Sequence, residues 1–514
     1  MAEGVNAMKK KFLSAAICFV FIALIFVGLS DGATPKKNSL IFAISSEPIS
    51  LDPAKTTDQM CWSIFCSLYD TLFWYNDKTH EIENRLAESY SWNSDSTELT
   101  VKLREGVLFH NGQEMTAEDA AFSVDRMANS TFARVYIVNY LSAEAVDKYT
   151  LKIKYSAPFE GALKSLAVIN YVIQPKAEVE KNPDAFTLNP IGTGAYKFKS
   201  RTPGVEIVFE ANESYWRGAP SIKELKFRIF SDVNTAVVAL EAGEADFLTH
   251  APLTSKRQIL SNPGLAWDEK PFNGPIIIFF QQADGQMFAD VNLRKAVQYA
   301  INRDDILLGA ADGIGMSLYS LFLPGMFGYD EDYKIVQDKE KAKEYIKAAG
   351  YTDKNQPTLT IDTIDTAVNY KTVDIVASQL IDVGFNVTVN RMERPAYFAK
   401  IFSNHDFSLA ISTFGASLPD SEYISGFSDS SQIEKGYNFS ELRDSTLDGF
   451  LREGRFEVEP AKRDVIYKNL QKYLDENALF IPLIMYGAGV AYDKDLKGVE
   501  ADFLFRFPVF NYSY

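Results

Sequence analysis

The sequence predicts a mixed α/β protein of at least two packed lobes, on three observations. Short apolar strand runs alternate with helical patterns along the chain, which excludes a helical bundle. At 514 residues the chain exceeds what one hydrophobic core usually supports. No internal repeat and no low-complexity linker separates the parts, so the lobes must be joined by short connections or by strands.

The first element is an export signal. Lys9, Lys10 and Lys11 precede Phe12 to Leu29, a run without one charged side chain that ends at Asp31 and Gly32. Small residues at Gly28, Ser30, Gly32 and Ala33 place cleavage near Ser30 to Ala33, giving a signal peptide over 1–33 and a periplasmic body. The apolar run is close to the ~18 residues at which a spanning helix becomes feasible, so an uncleaved membrane anchor is the alternative. Cys18 lies in mid-run behind Ile17, which does not fit a lipid-modified cysteine.

Beyond the signal, Ser39 to Ile44 reads as a buried strand ended by the turn residues Ser45-Ser46-Glu47-Pro48. A helix runs through Trp62, Phe65, Leu68, Tyr69 and Leu72, and carries Cys61 and Cys66 at a spacing too long for a disulfide on a helix. Glu98 to Leu103 alternates as a half-buried strand, Asn111-Gly112 marks a hairpin turn, and Thr116-Ala117-Glu118-Asp119 starts a helix. Strands follow at 151–155, 195–199, 205–211 and 225–230. Asp290 to Asp305 reads as one helix with a basic end at Arg303. Helices at 339–349 and 372–383 then alternate with strands at 358–363 and 385–389, a second βα lobe.

Charge and motifs narrow the function. Removing residues 1–33 takes away three lysines, Glu3 and Asp31, a net of +1, so −16 becomes −17. That acidity argues against nucleic acid or an anionic membrane surface as partner. Gly28-Leu29-Ser30-Asp31-Gly32 spells a nucleophile elbow, but inside the export signal, where no strand and helix expose the serine. The four histidines, His80, His110, His250 and His405, are scattered without metal-ligand spacing and read as surface or turn residues. Gly313-Ile314-Gly315 is too short for a dinucleotide fingerprint, so no catalytic residue, metal or cofactor is signalled.

What the chain does contain is a series of segments in one order. Ser46-Glu47-Pro48-Ile49-Ser50-Leu51-Asp52-Pro53 is followed by Leu68-Tyr69-Asp70-Thr71-Leu72, then Leu86-Ala87-Glu88-Ser89-Tyr90-Ser91-Trp92 and Val101 to Gln113. Pro190-Ile191-Gly192-Thr193-Gly194-Ala195-Tyr196, Tyr215-Trp216-Arg217-Gly218-Ala219-Pro220, Gly243-Glu244-Ala245-Asp246 and Asn292 to Arg303 complete the series. In this order they closely resemble the family 5 extracellular solute-binding proteins, the receptors of peptide and nickel import systems, over essentially all of residues 39–514.

The resemblance implies a two-lobed clamp, a periplasmic-binding-protein-like fold of the class II type with an extra subdomain in lobe one. Lobe one would comprise 39–282 plus 485–514, with 76–190 as the extra subdomain, and lobe two 283–484, joined by crossings near Phe279-Phe280 and Ile484-Met485. It also implies a monomer that is not an enzyme, capturing a small-molecule or oligopeptide ligand for the permease subunits of an ABC importer. A nickel or metal-chelate receptor is the alternative, and a hydrolase or chaperone on the same scaffold comes after it. Gly192-Thr193-Gly194 is read as a tight turn, and Arg294 and Lys295 as helix caps or solvated residues.

The expected ligand contacts begin with Leu409 to Tyr423. Peptide-binding relatives are expected to carry there an aromatic residue and, three positions later, an aspartate for the peptide amine. Phe414 keeps the aromatic but Ser417 carries no charge, leaving Asp420 or Glu422 to substitute after a shift of register. Phe414-Gly415-Ala416 and Thr56 to Met60 also resemble the nickel-carrying relatives. Arg506, in the apolar tail segment Phe503 to Pro508, is a candidate for a ligand carboxylate or for an internal ion pair, and Arg134 and Arg394 are similar candidates. Met60, Trp62, Tyr397, Phe414 and Tyr486 are candidate apolar or stacking walls.

Overall fold

A computed structural model describes residues 37–514 except 49, 57, 77, 80, 160, 272–273, 365, 415–419, 434–437 and 501–505. The expected export signal, His80 and Ser417 therefore lie outside the described residues. Among the described residues, no helix is long and apolar enough to cross a membrane.

Among the described residues, twelve strands form one sheet, ten of them along a single path of pairing. From one edge the order is Asn386–Met392, Thr358–Ile364, Leu409–Thr413, Ile276–Phe280, Ile481–Asp493, Phe247–Ala251, Ser39–Ile44, Glu224–Ile229, Glu206–Ala211 and Tyr196–Thr202. Leu265–Pro271 and Gly315–Ser317 pair separately to Ile481–Asp493. That long strand divides the molecule. Its residues Ile481 to Ile484 pair with Ile276–Phe280, whereas Gly487 to Asp493 pair with Leu265–Pro271. Two halves of sheet thus share one strand, and the partner change falls at Tyr486-Gly487.

The second crossing lies between Pro271, the end of a first-half strand, and Ile276, the start of a second-half strand. Phe279 and Phe280, where the resemblance implies a crossing, are paired to Ala410 and Leu409. The apolar run Ile276–Phe280 is buried throughout because strands flank it on both edges. Each half has its own core. Leu40, Phe42, Phe65, Phe227 and Phe247 pack in the first, where the tail residues Phe507, Val509 and Tyr512 join them. Ile278, Val297, Val373 and Ile411 pack in the second.

An additional unit is inserted into the first half. Its four-stranded antiparallel sheet, in the order Ala87–Trp92, Glu98–Leu103, Thr150–Tyr155 and Tyr140–Asp147, is covered by the helix Ala117–Ala128 over a separate core. Thr116 and Asp119 form the capping box that the sequence announces. Asp52 fixes this helix to the first half, taking both Arg126 Nη1 and Nη2 at 2.7 and 2.6 Å.

Three local readings change. The expected single helix over 290–305 is two, Val291–Ala300 and Arg303–Ala311, because Asn302 caps the backbone N–H groups of Asp304 and Asp305 and starts a new helix. Arg303 is consequently not a solvated helix end but is buried, donating to the Pro482 and Ile335 carbonyls. Arg294 is likewise buried, with donors on the Phe288, Ala289 and Asn477 carbonyls. Gly192 and Gly194 are glycine for another reason than a turn: a Cβ on either would sit 2.1 to 2.5 Å from the backbone of Ser67 to Tyr69.

Candidate functional site

Strand direction locates the site. In the first half, Ser39–Ile44 runs parallel to Glu224–Ile229 and Phe247–Ala251, and Ala251 lies opposite Gly489 of the long strand. In the second half, Thr358–Ile364 runs parallel to Asn386–Met392 and Leu409–Thr413. Thr413 pairs with Ile276, which also pairs with Ile484. Both sets of carboxyl ends therefore point at the same seam, where the long strand changes partners. In open α/β sheets the crevice outside the carboxyl ends of the strands is where ligands bind.

Packing is close on each side of the seam. A Cβ on Gly315 would lie 2.2 Å from the Met485 carbonyl oxygen, and one on Gly489 2.3 Å from the Trp267 ring. Phe414 stands at the seam, its N–H donating to the Pro275 carbonyl at 3.1 Å and its ring 4.7 Å from that of Phe427. Tyr486 is opposite Gly315, half-buried, and burial pushes its phenol pKa up. Phe414 packs on the cluster around Phe279 and Phe427, and Tyr486 on the one around Ile278 and Ile411.

The other expected contacts distribute differently. Met60 is half-buried in the turn Gln59–Cys61 and packs on the first core, and Trp62 is buried in that core, its indole Nε1 without a hydrogen-bond partner among the described residues. Tyr397 is buried in the second half and donates to the Ile411 carbonyl at 3.3 Å. Arg506 is buried, stacks 3.7 Å from the Trp74 ring centroid and donates to the Tyr75 carbonyl at 3.3 Å. Arg134 is exposed in the additional unit, in the turn Ala133–Tyr136. Arg394 opens the helix Arg394–Phe398 directly after a strand end at the seam, but its side chain lies outside the described residues. Cys61 and Cys66 form no disulfide with each other.

Asp420 does not stand open for a ligand amine. Its carboxylate receives Arg463 Nη1 and Nη2 at 2.9 and 2.8 Å, Lys164 Nζ at 2.9 Å and the Glu422 N–H at 2.9 Å. Burial alone would raise its pKa; the Arg463 and Lys164 cations outweigh it and hold the carboxyl well below the usual range. Glu422, the other expected substitute, is buried and holds Arg455 Nε at 2.7 Å and the Tyr467 hydroxyl at 3.1 Å. Burial raises the Glu422 pKa, with Arg455 opposing.

Sequence reasoning missed Lys164 and placed His250 only as a surface or turn residue. Lys164 belongs to the helix Ala162–Ala167 of the additional unit, so its bond to Asp420 joins the two halves, and nothing local in Leu163-Lys164-Ser165 signals that. His250 lies at the carboxyl end of a first-half strand with φ of +53°, a geometry that a Thr-His-Ala sequence does not announce. His110, read as a turn residue, is a clip: Nδ1 accepts from the Gly192 N–H at 3.2 Å and Nε2 lies 3.0 Å from the Gly194 carbonyl, while desolvation pulls the ring down to about 4.

Comparison with known proteins settles the lineage. The model of the bacterial extracellular solute-binding proteins, family 5 (Middle), matches residues 81–435. The chain belongs to that family. It is 26% identical over 470 residues to the glutathione-binding protein GsiB of Escherichia coli (strain K12), covering 89% of this chain and 91% of the relative. The ABC transporter substrate binding protein CtaP of Listeria monocytogenes superposes with a TM-score of 0.83 at 22% identity, over 93% of this chain and 99% of that one. AgaA from A. tumefaciens R10, in complex with agropinic acid, superposes with a TM-score of 0.77 at 25% identity, over 92% and 96%. The family 5 chain is thus an α/β two-lobed clamp of the class II periplasmic-binding-protein type, with an additional unit in its first lobe.

Proposed function

We propose that this family 5 protein captures a peptide or peptide-like solute outside the cytoplasm, between its two lobes, and delivers it as a monomer to the permease subunits of an ABC importer. One observation carries the reading: two sets of strand carboxyl ends face a single seam, joined across it by Lys164 and Asp420. Two crossings make a hinge. A solute shifts such a clamp only by binding the closed form more tightly than the open one. The similarity to a glutathione-binding protein across 89% of the chain favours a peptide-like solute, glutathione being itself a peptide.

Because the Asp420 oxygens are already engaged, a solute amine is held elsewhere or must displace Lys164. Phe414 and Tyr486 supply aromatic surface at the crossing, with Arg134 and Arg394 left to meet a solute carboxylate. The lobes divide between Pro271 and Ile276 and again at Tyr486-Gly487, with 76–190 as the additional subdomain and 1–33 as the export signal. No observation among the described residues favours a metal chelate over a peptide-like solute.

Native mass spectrometry of gently purified protein tests the reading, together with thermal shift against reduced glutathione and a panel of di- and tripeptides. A co-purified small molecule or a panel member that raises the melting temperature supports capture. Empty spectra with no stabilising panel member, or chemical conversion of a panel member, overturn it.

A further inference from the structure

Four arginines meet two tryptophans where the additional unit joins the first lobe. Arg85 lies 4.6 Å and Arg506 3.7 Å from the Trp74 ring centroid, while Arg104 and Arg217 lie 5.2 and 5.9 Å from that of Trp216. Arg104 Nε donates to the Arg85 carbonyl at 2.6 Å, which ties the two groups together. The cluster is remote from the seam. Arg217 belongs to the connection between Ala211 and Glu224, and Glu224 is opposite Ser39, at the amino end of a strand whose carboxyl end faces the seam.

Its charges lack counterparts. Elsewhere Arg126, Arg201, Arg455 and Arg463 each hold a carboxylate, and Arg294 and Arg303 reach carbonyls. Among the described residues, the guanidinium groups of Arg85 and Arg217 make no ion pair and no hydrogen bond. Asp70 attracts Arg85 from beyond ion-pair distance, and its own oxygens are taken by Tyr215, Trp216 and Thr193. Burial pulls the Arg85 pKa down, and the Arg217 charge lowers it further. Arg85 is half-buried and Arg217 exposed, so the pair is open to solvent on one side. An indole face attracts a cation by about 0.5–1 kcal/mol but takes none of the in-plane N–H donors.

We infer that Arg85, Arg104 and Arg217 form an oxyanion site on the first lobe, away from the seam, that takes a small phosphate or carboxylate anion from solvent. Planar guanidinium forks match two oxygens of such a group, and an anion there offsets the repulsion between neighbouring cations. The net charge of −16 disfavours an extended anionic surface such as a membrane, which leaves a small free anion as the occupant. This site stands apart from the capture of a solute proposed above.

Titration calorimetry of the mature chain with inorganic phosphate and with citrate, at an ionic strength held constant with chloride, tests the site. Saturable binding of at least one of the two anions is expected. Arg217→Gln removes an exposed charge, so the melting temperature without added anion stays level while affinity for the anion falls about tenfold, the size of one charge-assisted hydrogen bond. Arg85→Lys keeps the charge but not the planar fork and weakens binding as well. Arg391→Gln, on the second lobe where Arg391 holds Asp374, leaves affinity within about twofold of wild type. Absence of saturable binding for both anions, or an Arg217→Gln affinity no lower than that of Arg391→Gln, overturns the inference. Neither outcome involves the peptide panel, so a failure of solute capture is read separately.

Discussion

The Lys164 ammonium, on the additional unit of the first lobe, lies 2.9 Å from Asp420 Oδ2 in the second lobe, with the two side chains 15% and 1% exposed. The pair extends into a lobe-two network. Asp420 holds Arg463, which reaches the Tyr467 hydroxyl; Tyr467 donates to Glu422, and Arg455 binds both Glu422 and Asp429. Counting Lys164, the network has three acids and three bases; without it an acid is left over. Lys164 is therefore the cation, supplied by the first lobe, that balances the charges of this second-lobe network.

Lys164→Met is accordingly expected to favour the open form at modest cost, about 1–2 kcal/mol, because Arg463 still satisfies Asp420. Small-angle scattering of the solute-free variant should give a larger radius of gyration than wild type. Asp420→Asn differs in kind, since it strands the buried Arg463, and chemical denaturation should show a loss of about 3–5 kcal/mol. Equal effects of the two substitutions on stability would contradict this account.

Asp475 carries a pH dependence. Burial pushes its carboxyl up to about 7, with the Gln471 hydrogen bond and Arg303 opposing. The unfolded chain releases this proton near 3.8, the folded chain only near 7, so stability falls as pH rises across that window and stays lower above it. The shift corresponds to about 4 kcal/mol above pH 7. Asp475→Asn should melt higher than wild type at pH 8 and lose that advantage at pH 4, as read by calorimetry across the range.

Gly194→Ala tests the close approach of the additional unit's return segment to the helix Trp62–Leu68. The new Cβ would lie 2.4 to 2.5 Å from the Leu68 carbonyl carbon, the Ser67 oxygen and the Tyr69 nitrogen, all backbone atoms that cannot step aside. A loss of about 3 kcal/mol, at the upper end of overpacking, is expected in urea denaturation.

Asp70→Asn probes the polar anchor beside it. The buried Asp70 carboxylate accepts from the Tyr215 hydroxyl at 2.8 Å and from Trp216 Nε1 and Thr193 Oγ1, each at 3.0 Å. An amide nitrogen in place of one oxygen faces donors, so a loss of about 2–3 kcal/mol is expected. Urea denaturation should read that loss, and an unchanged midpoint would count against Asp70 as the hub that holds Thr193, Tyr215 and Trp216 together.

By itself the sequence determined the α/β class, the strand Ser39–Ile44, the strand Glu98–Leu103 and the helix start at Thr116, because alternation and capping are local and need only a few neighbouring residues. Its ordered motifs also determined the family, which residues 81–435 share. It could not show that Asn302 ends one helix and starts another within an unbroken apolar pattern, nor that Arg303 is buried against the Pro482 and Ile335 carbonyls. Tertiary structure alone decided that Asp420 faces Arg463 and Lys164 rather than open solvent, that Trp62, Tyr397 and Arg506 lie within packed protein, and that His250 is turned outward. Each of those outcomes depends on partners tens to hundreds of positions away, and the free energy of a charge or a ring is set by what surrounds it in space.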